Sequence, residues 1–227
     1  MVRLRLTGLL LAAVALPAFA EDPLEDAREV SKDGPLYIFD VEIQDDTLDV
    51  TARVDPTKPE GSRLILVSPD ESSFDEQAAA RYAELKENTK GDVWCSNFAS
   101  NIPDDAELIS ESQVEAVYKF RPIPDADAGD MAKSYKHLTG RVTVSKEHPG
   151  ITAFEMVNEK PFKPMPIAKV NTFEMKVACA FAPDGRTYIR DLTLNIAGSA
   201  MLQKFSQTEH RKITGLTPIP ETATGQQ

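Results

Sequence analysis

Residues 170–201 constrain the fold of this chain more than any other stretch. Apolar side chains occupy every second position of its first half: Phe173, Met175, Val177, Cys179 and Phe181. Leu192, Leu194 and Ile196 alternate in the same way after a Pro183-Asp184-Gly185 turn. A period of two places such residues on one face of a strand, and Pro-Asp-Gly favours a turn. The stretch predicts a long antiparallel hairpin with one apolar face that another layer has to cover.

Similar alternation predicts strands in most of the remaining chain. Hairpins are expected over residues 36–54 and 141–158, and single strands over 63–67 and 113–121. Residues 201–216 fit a helix about as well as a strand, and a last strand is favoured because Gly198 and Ser199 suggest a bend that continues the meander. Alternating strands of this kind belong to a sheet with one buried face.

One long helix and one short helix complete the prediction. Ser73 followed by Glu76 matches a capping box, and an apolar stripe extends to about Glu87: Phe74, Ala78, Tyr82 and Leu85. Residues 127–139 suggest the shorter helix, and 92–107 suggest a loop. The predicted fold class is α+β and mostly β, with a curved antiparallel sheet, like half a barrel, packed against one main amphipathic helix and a shorter second helix.

The first twenty residues resemble a secretory signal peptide. Two arginines precede an apolar run that ends in Ala18-Phe19-Ala20, a sequence suited to signal peptidase. The run is too short to be a transmembrane span, and none is expected after its removal. We predict a periplasmic or secreted, soluble protein with a flexible N-terminal arm at 21–34, a single antiparallel-sheet domain at 35–217 and a disordered tail at 218–227.

The chain is acidic, with a formal net charge of −11 at pH 7. Removal of residues 1–20 would take two arginines and make the mature protein more negative. Such a balance argues against nucleic acid and against anionic lipid surfaces as partners.

The sequence has two cysteines, Cys95 and Cys179. In an exported protein they suggest a disulfide, which would join the segment after the main helix to the apolar face of the hairpin. The alternative is that both are buried thiols that do not meet.

No catalytic, metal-binding or cofactor-binding motif is found. The three histidines lack metal-ligand spacing, and Gly-x-Ser-x-Gly is absent. Residues 125–130 resemble the opening of a calcium loop, but Lys136 stands where its bidentate glutamate would be. A hydrolase that assembles its site only in the fold, such as Cys95 beside His137 or His210, stays open as a lesser alternative.

A basic patch stands out in this acidic chain: Lys204, His210, Arg211 and Lys212. It could receive an anionic group, but a charged edge strand that discourages aggregation is the favoured interpretation.

Large adaptable side chains dominate the predicted inner face, and seven form the candidate ligand site: Phe74, Tyr82, Phe120, Phe154, Met156, Phe173 and Met175. They could be a packed core or could surround an apolar cavity, because both require apolar inner positions. The sequence favours a non-enzymatic binding or carrier protein for an apolar or amphipathic ligand such as a lipid. The alternative is a protein-interaction or assembly factor of the cell envelope that takes no small ligand and uses its sheet edges and the Pro161–Pro166 rim.

Overall fold

Eleven strands form one antiparallel sheet in the computed structural model, which describes residues 22–30, 33–125, 128–129 and 132–220. The strands are β1 (Tyr37–Asp45), β2 (Asp49–Val54), β3 (Leu64–Ser68), β4 (Glu107–Glu111), β5 (Glu115–Phe120), β6 (Leu138–Ser145), β7 (Gly150–Asn158), β8 (Phe162–Met165), β9 (Ala168–Phe181), β10 (Thr187–Ala200) and β11 (Gln203–Pro218). Their order across the sheet is β3-β2-β1-β11-β10-β9-β7-β6-β5-β4, and β8 pairs with β9. The sheet is curled and does not close, so the predicted fold class is confirmed.

Three α-helices and two 3₁₀ helices accompany the sheet in the described residues. They are α1 (Pro23–Glu29), α2 (Glu76–Asn88), α3 (Ala132–Tyr135) and the 3₁₀ helices Glu71–Ser73 and Cys95–Asn101. Helix α3 lies in the segment where a second helix was predicted, part of which is outside the described residues. The predicted signal peptide at 1–20 and the last seven residues of the predicted tail also lie outside them.

The predicted hairpin is the pair β9–β10, in which Leu192 faces Val177 across the strands. The ambiguous segment after it is strand β11, as favoured. However, β11 lies between β10 and β1 near the middle of the sheet, so the expected charged edge strand is wrong. Pairing of Phe39 on β1 with Leu216 on β11 joins opposite ends of the chain, and no local pattern encodes such a contact.

One row of directly paired residues crosses the inner face of the sheet. It runs through Val50, Ile43, Arg211, Leu192, Val177, Phe154, Val142 and Tyr118. Directly paired residues share a face, so this inner row shows that both ends of the sheet bury the same side. Two apolar core clusters lie on it, one over β1–β3 with α2 and one over β5–β9 with α1. Arg211 is the single charged residue of the row and lies between the clusters.

Helix α2 covers the first cluster with Ala78, Tyr82 and Leu85. Its N-cap is Asp75, whose carboxylate accepts a hydrogen bond from the Ala78 backbone N–H at 2.8 Å. The expected capping box from Ser73 is therefore wrong, because the helix begins at Glu76 and Asp75 occupies the N-cap position. Ser73 lies in the preceding 3₁₀ turn, and its hydroxyl donates to the Asp70 carbonyl.

Helix α1, within the segment predicted as a flexible arm, packs against the second cluster. Leu24 and Ala27 are buried there. The Tyr118 hydroxyl donates to the Asp22 carboxylate at 2.7 Å, and Arg28 donates to the carbonyls of Ile102 and Pro103. Desolvation by burial and the Asp22 carboxylate together raise the pKa of Tyr118, which keeps its hydroxyl protonated as the donor.

An ion-pair network, which we call the Arg81 clamp, ties α2 to the sheet. The Arg81 guanidinium donates to Asp45 at 2.7 Å and to Glu209 at 2.7 Å. These two carboxylates face each other on β1 and β11, and their side chains are 5% and 7% exposed. The helix thus supplies the positive charge that two buried carboxylates require.

Candidate ligand cavity

A cavity of about 380 Å³ lies between the inner face of the sheet and residues 88–98, the covering segment. Its walls are mostly apolar: Phe39, Val41, Ile43, Val54, Leu64, Val93, Trp94, Phe98, Ile189, Leu192 and Ile213. Polar groups come from the covering segment and from Arg211 on β11. The cavity takes lining residues from both core clusters, among them Leu64 and Val93 from the first and Phe98 and Leu192 from the second. Its volume is within the range that encloses a small ligand.

Both ends of the covering segment are fixed. At the helix end, the Thr89 hydroxyl donates to the Leu85 carbonyl at 2.6 Å, and Arg63 donates to the Lys90 carbonyl at 2.8 Å. At the other end, the Ile189 backbone N–H donates to the Val93 carbonyl at 2.7 Å. These attachments hold the segment above the sheet.

The predicted disulfide between Cys95 and Cys179 is confirmed, and it anchors the covering segment to β9. Neither cysteine keeps a free thiol, so a cysteine nucleophile has no support in this structure. The bond is compatible with an oxidising compartment.

Gly91 sets the path of the segment between its two anchors. Its φ is +81°, and a Cβ atom added to it would lie 2.9 Å from the Cβ atom of Pro56. Glycine therefore meets both a backbone requirement and a close approach at this point.

Trp94 is the single tryptophan of the chain and forms part of the cavity wall. The Arg186 guanidinium carbon lies 3.6 Å from the centre of its ring, and Tyr37 meets it edge to face at 5.6 Å. Trp94 also forms a β-bridge with Tyr188 on β10. A ring held in this way has one defined environment, so its fluorescence can report occupancy of the cavity.

Arg211 places a positive charge on an otherwise apolar wall. Its Nε atom donates to Glu209, the carboxylate that also accepts a hydrogen bond from Arg81. The Arg211 side chain is 42% exposed, because it lies where the cover over the inner row is incomplete. The wall therefore combines a surface for an apolar body with a guanidinium suited to an anionic group.

The seven residues of the predicted ligand site fall into both core clusters. Phe120, Phe154 and Met156 are buried in the second cluster, with Phe173 and Met175 packed against it. Tyr82 is buried in the first cluster, and Phe74 packs edge to face on Tyr82 at 5.7 Å. None of the seven is among the described residues that line the cavity. Their role in ligand binding stays a prediction.

The sequence singled out Arg211 without assigning it to a cavity, and it placed Trp94 in a predicted loop over residues 92–107. A usable signal exists for Arg211, since it alternates in phase with Ile213 and must share its face. The neighbour across the sheet, Leu192, depends on the β10–β11 register and could not be inferred as reliably from a local pattern.

The described residues contain no group of three or more His, Cys, Asp or Glu side chains arranged to hold a metal ion. His137 stacks on Phe162 with ring centres 4.7 Å apart, and His148 meets Phe181 edge to face. His210 lies 3.9 Å from Asp191. These three contacts place the histidines apart from one another in packing and surface environments.

A scan against protein-family models, a search of curated proteins and a search of solved structures each found no match. Within the described residues, no helix has the length and apolar character needed to cross a membrane. Functional inference therefore depends on the cavity and on the surface of the molecule.

Proposed function

We propose that this chain is an exported, non-enzymatic binding or carrier protein for an amphipathic molecule that has an apolar body and an anionic group. The supporting observation is the cavity, whose walls are apolar except for the covering segment and Arg211. Burial of a ligand chain against these walls supplies a favourable free energy of about 25 cal/mol per Å² of apolar surface. Export is supported by the N-terminal sequence and is compatible with the disulfide.

Arg211 would fix the orientation of the proposed ligand in the cavity. A carboxylate placed beside the Arg211 guanidinium would leave the hydrocarbon chain against residues such as Ile43 and Leu192, its neighbours in the inner row. Lys90 is a second cation among the lining residues, whereas the carboxylate of Asp92 is already bound by the Asn97 side-chain amide. The charge distribution therefore favours an anion over a cation.

We expect dodecanoate to bind the purified protein and to change the fluorescence of Trp94. The Arg211→Met variant should bind dodecanoate about tenfold more weakly, because a charge-assisted hydrogen bond is lost at a partly exposed site. Its affinity for dodecanol, which lacks the charge, should change less than about twofold. Isothermal titration calorimetry checks both numbers independently of the fluorescence.

Lys212→Met is the matched control, because Lys212 is the next residue of β11, is exposed and points to the opposite face. It should leave the affinities for both ligands unchanged. Equal losses in the two variants would show a nonspecific charge effect and contradict the assigned role of Arg211. Absence of dodecanoate and dodecanol binding, together with equal native and denatured masses of protein isolated from its own compartment, would contradict the carrier proposal.

A protein-interaction role is favoured by one separate observation. Strand β4 ends the sheet, all five of its residues are exposed, and they include Leu108 and Ile109. An open edge of this kind can accept a strand from a partner protein. A Leu108→Lys variant that loses a co-purifying protein while keeping dodecanoate affinity would favour this second function.

A further inference from the structure

Four strands extend the sheet past the last β1–β11 and β7–β9 residue pairs, and we call this extension the distal arm. Phe162, at the base of the arm, still belongs to the second core cluster. Pairing of β1 with β11 ends at Asp45 and Glu209, and pairing of β7 with β9 ends at Val157 and Glu174. Beyond these points β10 and β11 continue to their turn, and β8 and β9 continue to theirs. Residues 203–208 of β11 are all exposed and span about 20 Å at the usual rise of a strand.

Two short turns form the end of the distal arm. Pro166 and Ile167 connect β8 to β9, while Met201 and Leu202 connect β10 to β11. The Met201 backbone N–H donates to the Ile167 carbonyl at 2.9 Å, so the turns lie side by side. Together they are the tip.

The tip exposes large apolar side chains to solvent. Leu202 is fully exposed and Met201 is 74% exposed, the two highest values among the large apolar residues of the described chain. Met165 and Ile167 in the neighbouring turn are also exposed. Four such side chains on two adjacent turns and their flanks concentrate exposed apolar surface at this end, a feature that marks interaction sites.

Local backbone geometry does not favour methionine and leucine in this turn. Met201 has φ +48° and Leu202 has φ +70°. A two-residue hairpin loop with both φ values positive is strongly preferred by Asn-Gly, because bulky side chains are strained there. Turn formation therefore gives no reason for Met201 and Leu202, and their exposed side chains are the feature that requires explanation.

The charge of the distal arm is opposite to that of the whole protein. Residues 160–173 and 198–207 contain four lysines and no aspartate or glutamate. The lysines are Lys160, Lys163, Lys169 and Lys204, and all four are exposed. Within the described chain none of them forms an ion pair with a carboxylate. The protein as a whole is acidic, but the end of the distal arm is basic and apolar.

We propose that the tip docks on an anionic phospholipid bilayer. Met201, Leu202 and Ile167 enter the headgroup and acyl boundary, while the lysines contact the anionic headgroups. The acidic body does not oppose this contact at the tip, because its nearby carboxylates, such as Asp46 beside Thr208, lie toward the base of the arm. Thr208 is about 20 Å from Leu202 at the usual rise of a strand, and charges are screened over about 8 Å at physiological ionic strength. The argument from net charge against anionic lipid surfaces therefore fails at this end of the molecule.

A bilayer fits the tip better than a folded protein partner does. Two short turns side by side form a small end with a few exposed apolar side chains, and lipid accepts such side chains without a shaped pocket. Long flexible lysines around an apolar end match the layered chemistry of headgroups over hydrocarbon. This proposal uses residues remote from the cavity and goes beyond carrier function.

Co-sedimentation with vesicles tests the proposal. The protein should bind vesicles of phosphatidylcholine with phosphatidylglycerol and should bind pure phosphatidylcholine much more weakly. Binding should fall as salt is raised. The double variant Met201→Asn, Leu202→Gly should lose at least about tenfold in partitioning, because it removes the inserted side chains. It should fold at least as stably as the parent, since Asn-Gly is the preferred turn sequence.

The lysines and the apolar residues are tested separately. Each of Lys163→Gln, Lys169→Gln and Lys204→Gln should weaken binding to the anionic vesicles by about fivefold and leave pure phosphatidylcholine binding unchanged. Val67→Thr is the control, because Val67 is an exposed apolar residue on β3, an edge strand that two other strands separate from β11. This control variant should sediment like the parent.

Several results would overturn the proposal. One is equal binding to vesicles with and without phosphatidylglycerol. Another is vesicle binding by the Met201→Asn, Leu202→Gly variant as strong as that of the parent. A third is the absence of vesicle binding, with a protein partner or a second copy of the chain associating through the tip instead. The membrane proposal and the carrier proposal can fail independently, because they are tested with different variants and different measurements. Tip variants should keep full dodecanoate affinity by calorimetry, and Arg211→Met should keep full vesicle binding.

Discussion

Replacement of Arg81 by alanine is expected to lower the free energy of unfolding by about 3 to 5 kcal/mol at pH 7. The variant would leave Asp45 and Glu209 facing each other across β1 and β11 with their side chains almost completely buried. Removal of one member of a buried ion-pair network costs far more than loss of a surface pair, because Asp45 would stay buried without a cation and Glu209 would keep only Arg211. Urea denaturation followed by circular dichroism measures the change.

The Arg81→Ala effect should depend on pH. Burial tends to raise the pKa of Asp45, but the hydrogen bonds from Arg81 and from the backbone N–H groups of Thr47 and Leu48 outweigh it and lower the pKa. In the parent, this group stabilises the fold above its unfolded pKa of about 3.9, and the contribution is lost as pH falls through the lower folded value. Without Arg81, the effect of burial on the pKa of Asp45 is no longer outweighed, and the charged Asp45 carboxylate destabilises the fold. Acidification toward about pH 4 should therefore reduce the difference in free energy of unfolding between the parent and the Arg81→Ala variant.

Arg53→Ala provides the control for the Arg81 clamp. Arg53 binds Asp40 with two hydrogen bonds, but this pair is exposed on the outer face. Exposed pairs contribute little, so Arg53→Ala should change stability much less and show no comparable pH dependence. Equal effects of the two substitutions would contradict the assigned burial of the clamp.

Removal of the disulfide in the double variant Cys95→Ala, Cys179→Ala is expected to lower the free energy of unfolding by about 2 to 5 kcal/mol. The cysteines are 84 residues apart in the chain, so the bond restricts a long loop of the unfolded state. Loss of the bond also leaves one end of the covering segment held mainly by the Val93–Ile189 and Trp94–Tyr188 contacts. We expect weaker dodecanoate binding as a second result, because the cavity loses a fixed wall.

Reduction of the parent protein with dithiothreitol should lower its urea denaturation midpoint to about that of the double variant. The midpoint of the double variant should not change with reductant. A parent whose midpoint is the same with and without reductant, after mass spectrometry has shown complete reduction, would contradict a stabilising role for the bond.

The alternating segments were sufficient to predict most strands and the fold class. Phe173 to Phe181 and Leu192 to Ile196 alternate clearly, and the structure buries Val177 and partly buries most of the other apolar residues of the two segments. Strand β4 was missed because all its residues are exposed, so burial imposes no period on Glu107–Glu111. The helix start was misplaced at Ser73 because two candidate caps, Ser73 and Asp75, lie two residues apart.

The candidate site could be predicted only in part. A packed side chain such as Phe154 and a cavity wall such as Phe39 obey the same apolar pattern, and only three-dimensional packing separates them. The location of Arg211 depended on pairing between β11 and two strands distant in sequence. The disulfide was predictable because the chain has only two cysteines and its first twenty residues resemble a signal peptide.

The placement of β11 at the centre of the sheet ties assembly of the molecule to the final part of its synthesis. Strands β1–β3 can pair with one another early, and β4–β10 can do the same, but only β11 joins the two groups. It is the last described strand, so a nascent chain lacks the connection until residues 203–218 have emerged. A chain with this topology therefore cannot complete its sheet until the last described strand has been synthesised.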